Sequence, residues 1–280
     1  MKIRAFGCQE TFLAHTEADL LKNEAVNGLP LGILYALMRN NGSADVLLTA
    51  ENENGLQMIA SGDLILAGKG DLLDAAKLTA AYLEEAGIHI PGVVGHPRAA
   101  AAFVSAWKRT AKVKMRQKIY KLEKVDPVRK SSGRLRLAND AAMISSWICS
   151  FSKEAILETM ERSQAEQKAL RGIESSSIYV WEDGGEPVYM AQKARPTKNG
   201  ITVNLVFTPR HFRRKGYASS CVAVHSQAVL AVLDDGYAFC CLYTDLSNPA
   251  SNRIYQAIGY RPVADSIAYA FHEKQPNRSL

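Results

Sequence analysis

The 280-residue chain carries a formal net charge of +6, with 47% hydrophobic and 22% charged residues. That balance excludes a disordered chain, and no apolar run approaches the ~20 residues of a membrane-spanning helix. The length suits roughly two domains of ~100–200 residues. The opening Met1 to Gly7 lacks the apolar segment of a secretory signal, so a cytoplasmic protein is expected. Five cysteines, with Cys240 beside Cys241, form neither a disulfide framework nor a Cys-x-x-Cys pair. The six histidines show no metal-ligand spacing, so no metal is expected. Positive charge admits nucleic acid, anionic lipid or an anionic cofactor as partner.

Taken in order, apolar residues at helical spacing predict helices over Thr11–Lys22 and Glu24–Arg39, ahead of the first strand. Asp45–Ala50, Leu56–Ala60 and Asp63–Ala67 read as a meander of short strands. A helix Asp71–Ala86 follows, closed by Gly87. Ile88–Val94 reads as a weak strand, Pro97–Thr110 as an alanine-rich helix and Lys114–Val125 as a basic strand. Residues 108 to 130 hold ten Lys or Arg against Glu123 and Asp126, with Tyr120 as their one aromatic. A nucleic-acid surface interleaves more aromatics, so a solvated strand face and linker is the preferred reading. Pro127 and Ser131-Ser132-Gly133 mark a boundary between domains 1–130 and 131–280.

The second part opens with a strand Arg134–Ala138, and Asn139-Asp140 caps a helix carrying Met143, Ile144, Trp147, Ile148 and Phe151. A second helix spans Lys153–Arg171, and Ser177–Glu182 with Pro187–Ala194 forms a hairpin around Asp183-Gly184-Gly185. The strand Ile201–Phe207 then runs through Pro209 into the basic turn Arg213-Arg214-Lys215-Gly216-Tyr217-Ala218 and a long helix Tyr217–Leu233. A helix N-terminus presents unpaired N–H groups and partial positive charge, so this turn reads as an anion cradle held by main chain. Gly216 has no Cβ to obstruct the approach of a phosphate.

After a strand Ala238–Thr244, Asn248 and Pro249 start a short helix that ends near Gly259, and Tyr260–Phe271 supplies closing strands. Asn248, Ser251, Asn252 and Tyr255 stand at i, i+3, i+4 and i+7, which places them on one side of that helix.

The turn Arg213-x-x-Gly216-x-Ala218 resembles the pyrophosphate loop of the GNAT acetyltransferases. Asn248, six residues, Tyr255 and then Gly259-Tyr260 resemble that family's pantetheine-facing helix. The element order β-α-α-β-β-β-α-β-α-β from Arg134 onward is also the GNAT order, and the resemblance covers roughly residues 134 to 273. It implies an α/β (α+β) fold, a mixed central sheet flanked by helices. The first part repeats the coarse order without the loop motif, so the chain is similar to GNAT proteins with two such domains in tandem, residues 1–130 degenerate and 131–280 catalytic.

The resemblance further implies acetyl-CoA as cosubstrate and transfer to a small-molecule or peptide amine. Val206, Phe207 and Thr208 would offer backbone groups to the pantetheine and thioester. Arg213, Arg214, Lys215, Gly216, Tyr217 and Ala218 would hold the pyrophosphate, Asn248 and Asn252 would face the arm, and Tyr255 would serve as general acid. Asp245, Glu182 and Tyr243 stand open as candidate bases, and His211 beside the cradle as a candidate ribose-phosphate contact or an exposed residue. The rival class is a binding module that senses acyl-CoA, or binds nucleic acid, without turnover.

Overall fold

The computed structural model describes residues 1–51, 56–60, 62–68, 72–126, 132–156, 158–213 and 236–272. They divide into two compact units, each discontinuous in sequence. The first comprises Met1–Ile119, Asp245–Ser247 and the chain from Val263 onward; the second comprises Tyr120–Thr244 and Asn248–Pro262. These bounds differ from a single break after residue 130, because the last strand closes the sheet of the first unit.

In the first unit β1 (Lys2–Ala5), α1 (Gln9–Leu21), α2 (Gly28–Arg39), β2 (Val46–Glu51), β3 (Leu56–Ala60), β4 (Leu64–Gly68), α3 (Leu73–Glu85), β5 (Gly92–Gly95), α4 (Pro97–Ala106) and most of β6 (Thr110–Leu122) follow one another. β1 precedes the helices expected to come first, and pairs antiparallel with β2 from Lys2↔Glu51 to Ala5↔Leu48. β2, β3 and β4 form the expected meander. β4 runs parallel to β5, and β5 pairs antiparallel with the far part of the final strand β12 (Arg261–His272), as in Tyr269↔Val93. Strand side chains alternate between faces. Val46 and Leu48 accordingly pack with α3 and α4, and Leu47 with α1 and α2.

The second unit repeats the scheme: β7 (Arg134–Leu137), α5 (Ala141–Phe151), α6 (Arg162–Glu174), β8 (Ile178–Asp183), β9 (Glu186–Ala194), β10 (Gly200–Phe207), β11 (Phe239–Asp245) and α7 (Pro249–Ile258). β7 to β10 pair antiparallel in sequence order, and β10 runs parallel to β11. Asp140 caps α5 as expected, its Oδ1 accepting from Met143 N at 2.9 Å. Gly184 (φ 58) and Gly185 (φ 86) supply the left-handed pair that a tight hairpin turn requires. The expected helix Lys153–Arg171 is interrupted. Ser152–Ile156 is a π-helical turn, and α6 begins only at Arg162. Trp181, Tyr189, Ile201, Val203, Cys240, Leu242, Tyr255 and Ile258 fill the core on the α7 side of this sheet. Ile144, Ile148, Ala165, Ala169, Val180, Met190, Leu205 and Phe207 fill the side of α5 and α6.

Helix α6 ends in a Schellman arrangement, with Ser177 N donating to Gly172 O and Ser176 N to Ile173 O, each at 2.9 Å. Ser176 there has φ 50 and is exposed. Ser176→Gly is therefore expected to raise stability by about 0.5–1 kcal/mol in urea unfolding, since glycine adopts this conformation without the Cβ penalty.

Candidate functional site

The site is built around a break in β10. Its pairing with β9 runs Thr202↔Ala194, Val203↔Lys193 and Asn204↔Gln192, then resumes at Phe207↔Met190, so β10 holds one residue more than its partner. Leu205 sits in the bulge at φ 49, uncommon for a branched side chain. One inserted residue reverses every later side chain. Ile201 and Val203 face α7, whereas Leu205 and Phe207 face α5 and α6, and Val206 turns back to the α7 side. The parallel pairing with β11 covers Gly200↔Phe239, Ile201↔Cys240 and Thr202↔Cys241, the first three residues of β10. Beyond Thr202 the two strands have no further registered pairs. In the first unit β4 is likewise registered with β5 over three residues, Leu64↔Val93 to Leu66↔Gly95, but it pairs with β3 from Leu56↔Gly68 to Ala60↔Leu64 without a register break.

Helix α7 packs on the same side of the sheet, its Tyr255 and Ile258 in one core with Ile201 and Val203 of β10 and Cys240 and Leu242 of β11. Asn248 caps it, Oδ1 accepting from Ser251 N at 3.1 Å, with Pro249 in the first turn and Gly259 closing it at φ 113. A Cβ on Gly259 would meet Lys124 O at 3.0 Å, so the position excludes larger residues on two counts. Asn252 Nδ2 donates to Asn248 O at 2.7 Å. The two asparagines expected to face the cofactor thus also hold the first turn of α7. Gln256 Nε2 donates to Tyr120 Oη at 3.0 Å, tying the helix to the end of β6.

Tyr255 is 9% exposed and meets Tyr260 edge-on, ring centroids 5.8 Å apart. Burial pushes its phenol well above the usual tyrosine range, so the hydroxyl keeps its proton throughout the neutral range. Burial and the neighbouring Cys241 likewise push the Cys240 thiol up to about 12. An unfolded cysteine ionises near pH ~8.5. The native state therefore binds more protons than the unfolded state above that pH, and stability is lost as pH rises toward 12. The contribution of Cys240 should fall with a slope that steepens from pH 8 to pH 10 toward the one-proton limit of roughly 1 kcal/mol per pH unit, and Cys240→Ala should lack it, by urea unfolding at pH 8, 9 and 10.

Arg214, Lys215, Gly216, Tyr217 and Ala218, with the long helix expected after them, lie outside the described residues; Arg213 is described. Its guanidinium bonds Glu154 Oε2 at 2.8 Å and Thr208 O at 2.7 Å and lies over the Phe207 ring, 5.4 Å to the centroid. Arg210 takes the other oxygen of Glu154 at 2.9 Å. Glu154, in the π-helical turn, therefore clasps the segment leading from β10 to the basic loop. Nothing in the sequence marks it: it is one acid 59 residues before Arg213 in a stretch that reads as plain helix.

Two candidate bases have other duties. Glu182 braces Arg134 at 2.9 Å and Arg136 at 2.7 Å, and its bonds to Arg136 and then Arg134 hold its carboxyl below the usual range. Asp245 closes the turn after β11, accepting from Ser247 N at 2.8 Å and Ser247 Oγ at 2.5 Å. Tyr243 is half-buried on β11. His211 is exposed and its ring lies tilted against Phe212, centroids 4.0 Å apart. Among the described residues no group of three or more His, Cys, Asp or Glu could hold a metal, and no helix is long and apolar enough to cross a membrane.

No family model matches the sequence, and no curated protein matches it. Solved structures do match the fold. An acetyltransferase from the GNAT family of Colwellia psychrerythraea superimposes with a TM-score of 0.58 at 10% identity, over 97% of this chain and 100% of that one. A tandem GNAT protein from the clavulanic acid biosynthesis pathway gives 0.55 at 10% identity, covering 96% and 97%. A GCN5-related N-acetyltransferase from Sphaerobacter thermophilus gives 0.54 at 13% identity, covering 84% of each. The fold is that of the GNAT acetyltransferases.

Proposed function

We propose that this chain is an N-acetyltransferase that moves the acetyl group of acetyl-CoA directly to an amine, with its one cofactor site in the second unit. The observation that carries this reading is the bulge at Leu205 with the parting of β10 from β11 beyond Thr202, beside a helix whose buried tyrosine belongs to the core cluster on which Val206 packs. A bulge turns backbone groups out of the ladder, and here those groups belong to Leu205 and Val206 at the inner end of the opening. That arrangement fits an extended, amide-bearing arm. β4 likewise pairs with β5 over only three residues but has no bulge, and the missing bulge argues for a single site and a degenerate first unit.

When bound, acetyl-CoA supplies an acyl thioester. Val206, Phe207 and Thr208 would pair with the arm through main chain, and Arg213, Arg214, Lys215, Gly216, Tyr217 and Ala218 would hold the pyrophosphate, with Glu154 fixing the angle at which the segment leaves β10. Asn248 and Asn252 position α7. Tyr255 holds a proton at Oη and delivers it, or a hydrogen bond, where the thiolate departs. The acceptor enters as its free amine.

One observation favours the rival reading of an acyl-CoA-binding module without turnover. The Tyr255 ring lies deep in the core beside Tyr260, as a packing residue would. Thiol release from acetyl-CoA against a panel of amines and amino acids separates the two, and calorimetry with coenzyme A counts sites. Acceptor-dependent thiol release and one site per chain are the expected results. Coenzyme A binding with no release for any acceptor would establish the module, and two equivalent sites would remove the idea of a degenerate first unit.

A further inference from the structure

The segment that leaves β10 is tied down by its own side chains. After Pro209 it makes one tight turn, Arg210–Phe212, in which Phe212 N donates to Pro209 O at 3.0 Å and Arg213 N to Arg210 O at 3.1 Å. Arg213 then departs in extended backbone, φ -74 and ψ 151. Its side chain turns back. Nε donates to Thr208 O at 2.7 Å, Nη2 donates to Glu154 Oε2 at 2.8 Å, and the guanidinium lies over the Phe207 ring. Arg210 Nε meets Glu154 Oε1 at 2.9 Å. A guanidinium can hold two differently placed acceptors because its donors form a rigid planar fork, whereas an ammonium acts as a point charge.

Glu154 is held in place by the core beneath it. Trp147, Phe151 and Glu154 follow at i, i+4 and i+7 along α5 and the turn that continues it. The Trp147 and Phe207 rings lie 6.4 Å apart, and Phe151 packs on the same core, so this stripe is fixed on the end of β10. The Glu154 side chain is 19% exposed, against 78% for Arg210 and 41% for Arg213. By Coulomb's law alone the acid is misplaced, since it stands on a segment that leads into a loop proposed for a pyrophosphate and a carboxylate repels an anion. Neutralising it should then tighten the cofactor. The contacts favour the opposite sign. The Arg213 main-chain N–H closes the turn and its guanidinium bonds Thr208 O and Glu154, so what this residue gives an anion is a fixed exit from β10 and not its charge.

We propose that Glu154 and Arg213 are positioning residues for the cofactor: the Arg213 guanidinium is a strut between Thr208 O and Glu154 instead of a phosphate ligand, and Glu154, though an acid, strengthens binding of the anion by holding that strut. This role rests on the reading of the chain as a coenzyme A binder. It makes the share of Arg213 in holding the pyrophosphate indirect and leaves direct contact to Arg214 through Ala218. Arg210 is the lesser arm, because its side chain is the more exposed and its ion pair with Glu154 is single.

The test is calorimetry with coenzyme A and steady-state kinetics of the full chain, the urea midpoint of each variant reporting folding. Glu154→Gln keeps the shape and removes the charge, and should weaken coenzyme A about tenfold, the scale of one charged hydrogen bond. The loss should fall on KM for acetyl-CoA rather than on kcat, as expected for a contact that serves binding alone. Arg213→Lys keeps the charge without the fork and should weaken binding as much as Arg213→Gln does. Arg210→Gln should cost about threefold or less. Glu154→Gln combined with Arg213→Gln should lose no more than the worse of the two alone, since both break one strut. A readout without cofactor checks the clasp itself. Trypsin must draw an arginine side chain into its own pocket, so cleavage after Arg210 and Arg213, followed by mass spectrometry, should be about fivefold faster in Glu154→Gln than in the parent. Unchanged or tighter coenzyme A binding in Glu154→Gln, parent-like binding in Arg213→Lys, or unchanged cleavage would overturn the proposal while leaving the cofactor reading intact. A parent that binds no coenzyme A would overturn both.

Discussion

Gly216→Glu should abolish coenzyme A binding while the protein stays folded. Gly216 is the fixed glycine of Arg213-x-x-Gly216-x-Ala218 at the proposed pyrophosphate loop. A glutamate there sets a carboxylate on a two-carbon stem where main-chain N–H groups would meet phosphate oxygens, and like charges in contact cost several kcal/mol. That corresponds to a loss of at least about 100-fold in affinity. Calorimetry with coenzyme A measures it, and the urea midpoint of the same preparation reports folding. Unchanged affinity in a folded variant would place the pyrophosphate elsewhere.

Much of the architecture was legible because it is locally coded. Asp140 and Asn248 act as caps, Gly184-Gly185 turns the hairpin, Gly259 ends α7, and the four polar positions of α7 share a side, all for reasons confined to a few neighbouring residues. What escaped is set by distant partners. β1 is four residues long and is a strand only because β2 is there to pair with it. Alternation in β12 says that it is a strand but not that β5, some 175 residues earlier, is its neighbour. The bulge at Leu205 is invisible in Ile201-Thr202-Val203-Asn204-Leu205-Val206-Phe207, where a regular strand would send Leu205 and Phe207 to the same face as Ile201 and Val203. The clasp at Glu154 joins it to Arg210 and Arg213, 56 and 59 positions later, and only the folded unit brings them together.

The bulge also sets what is expected of Tyr255→Phe. Because Val206 turns back to the α7 side, it packs with the core cluster that holds Tyr255, so the ring supports the opening whatever its hydroxyl does. Phenylalanine keeps that ring and its edge-on contact with Tyr260. Losing a buried hydroxyl should change stability by no more than about 1–2 kcal/mol and leave coenzyme A affinity nearly intact. The effect should fall on kcat, by ~10²–10⁴ where proton donation to the thiolate is fully lost and chemistry limits turnover. The lower end is expected, for two reasons. A thiol of pKa ~8.5 is a fair leaving group unaided, and burial raises the proton affinity of the phenol so far that donating a hydrogen bond is favoured over complete transfer. Raising the pH should partly restore the variant by lessening the need to protonate the thiolate. Turnover equal to the parent, with only stability changed, would make Tyr255 a core residue and leave the proton to water or to another group.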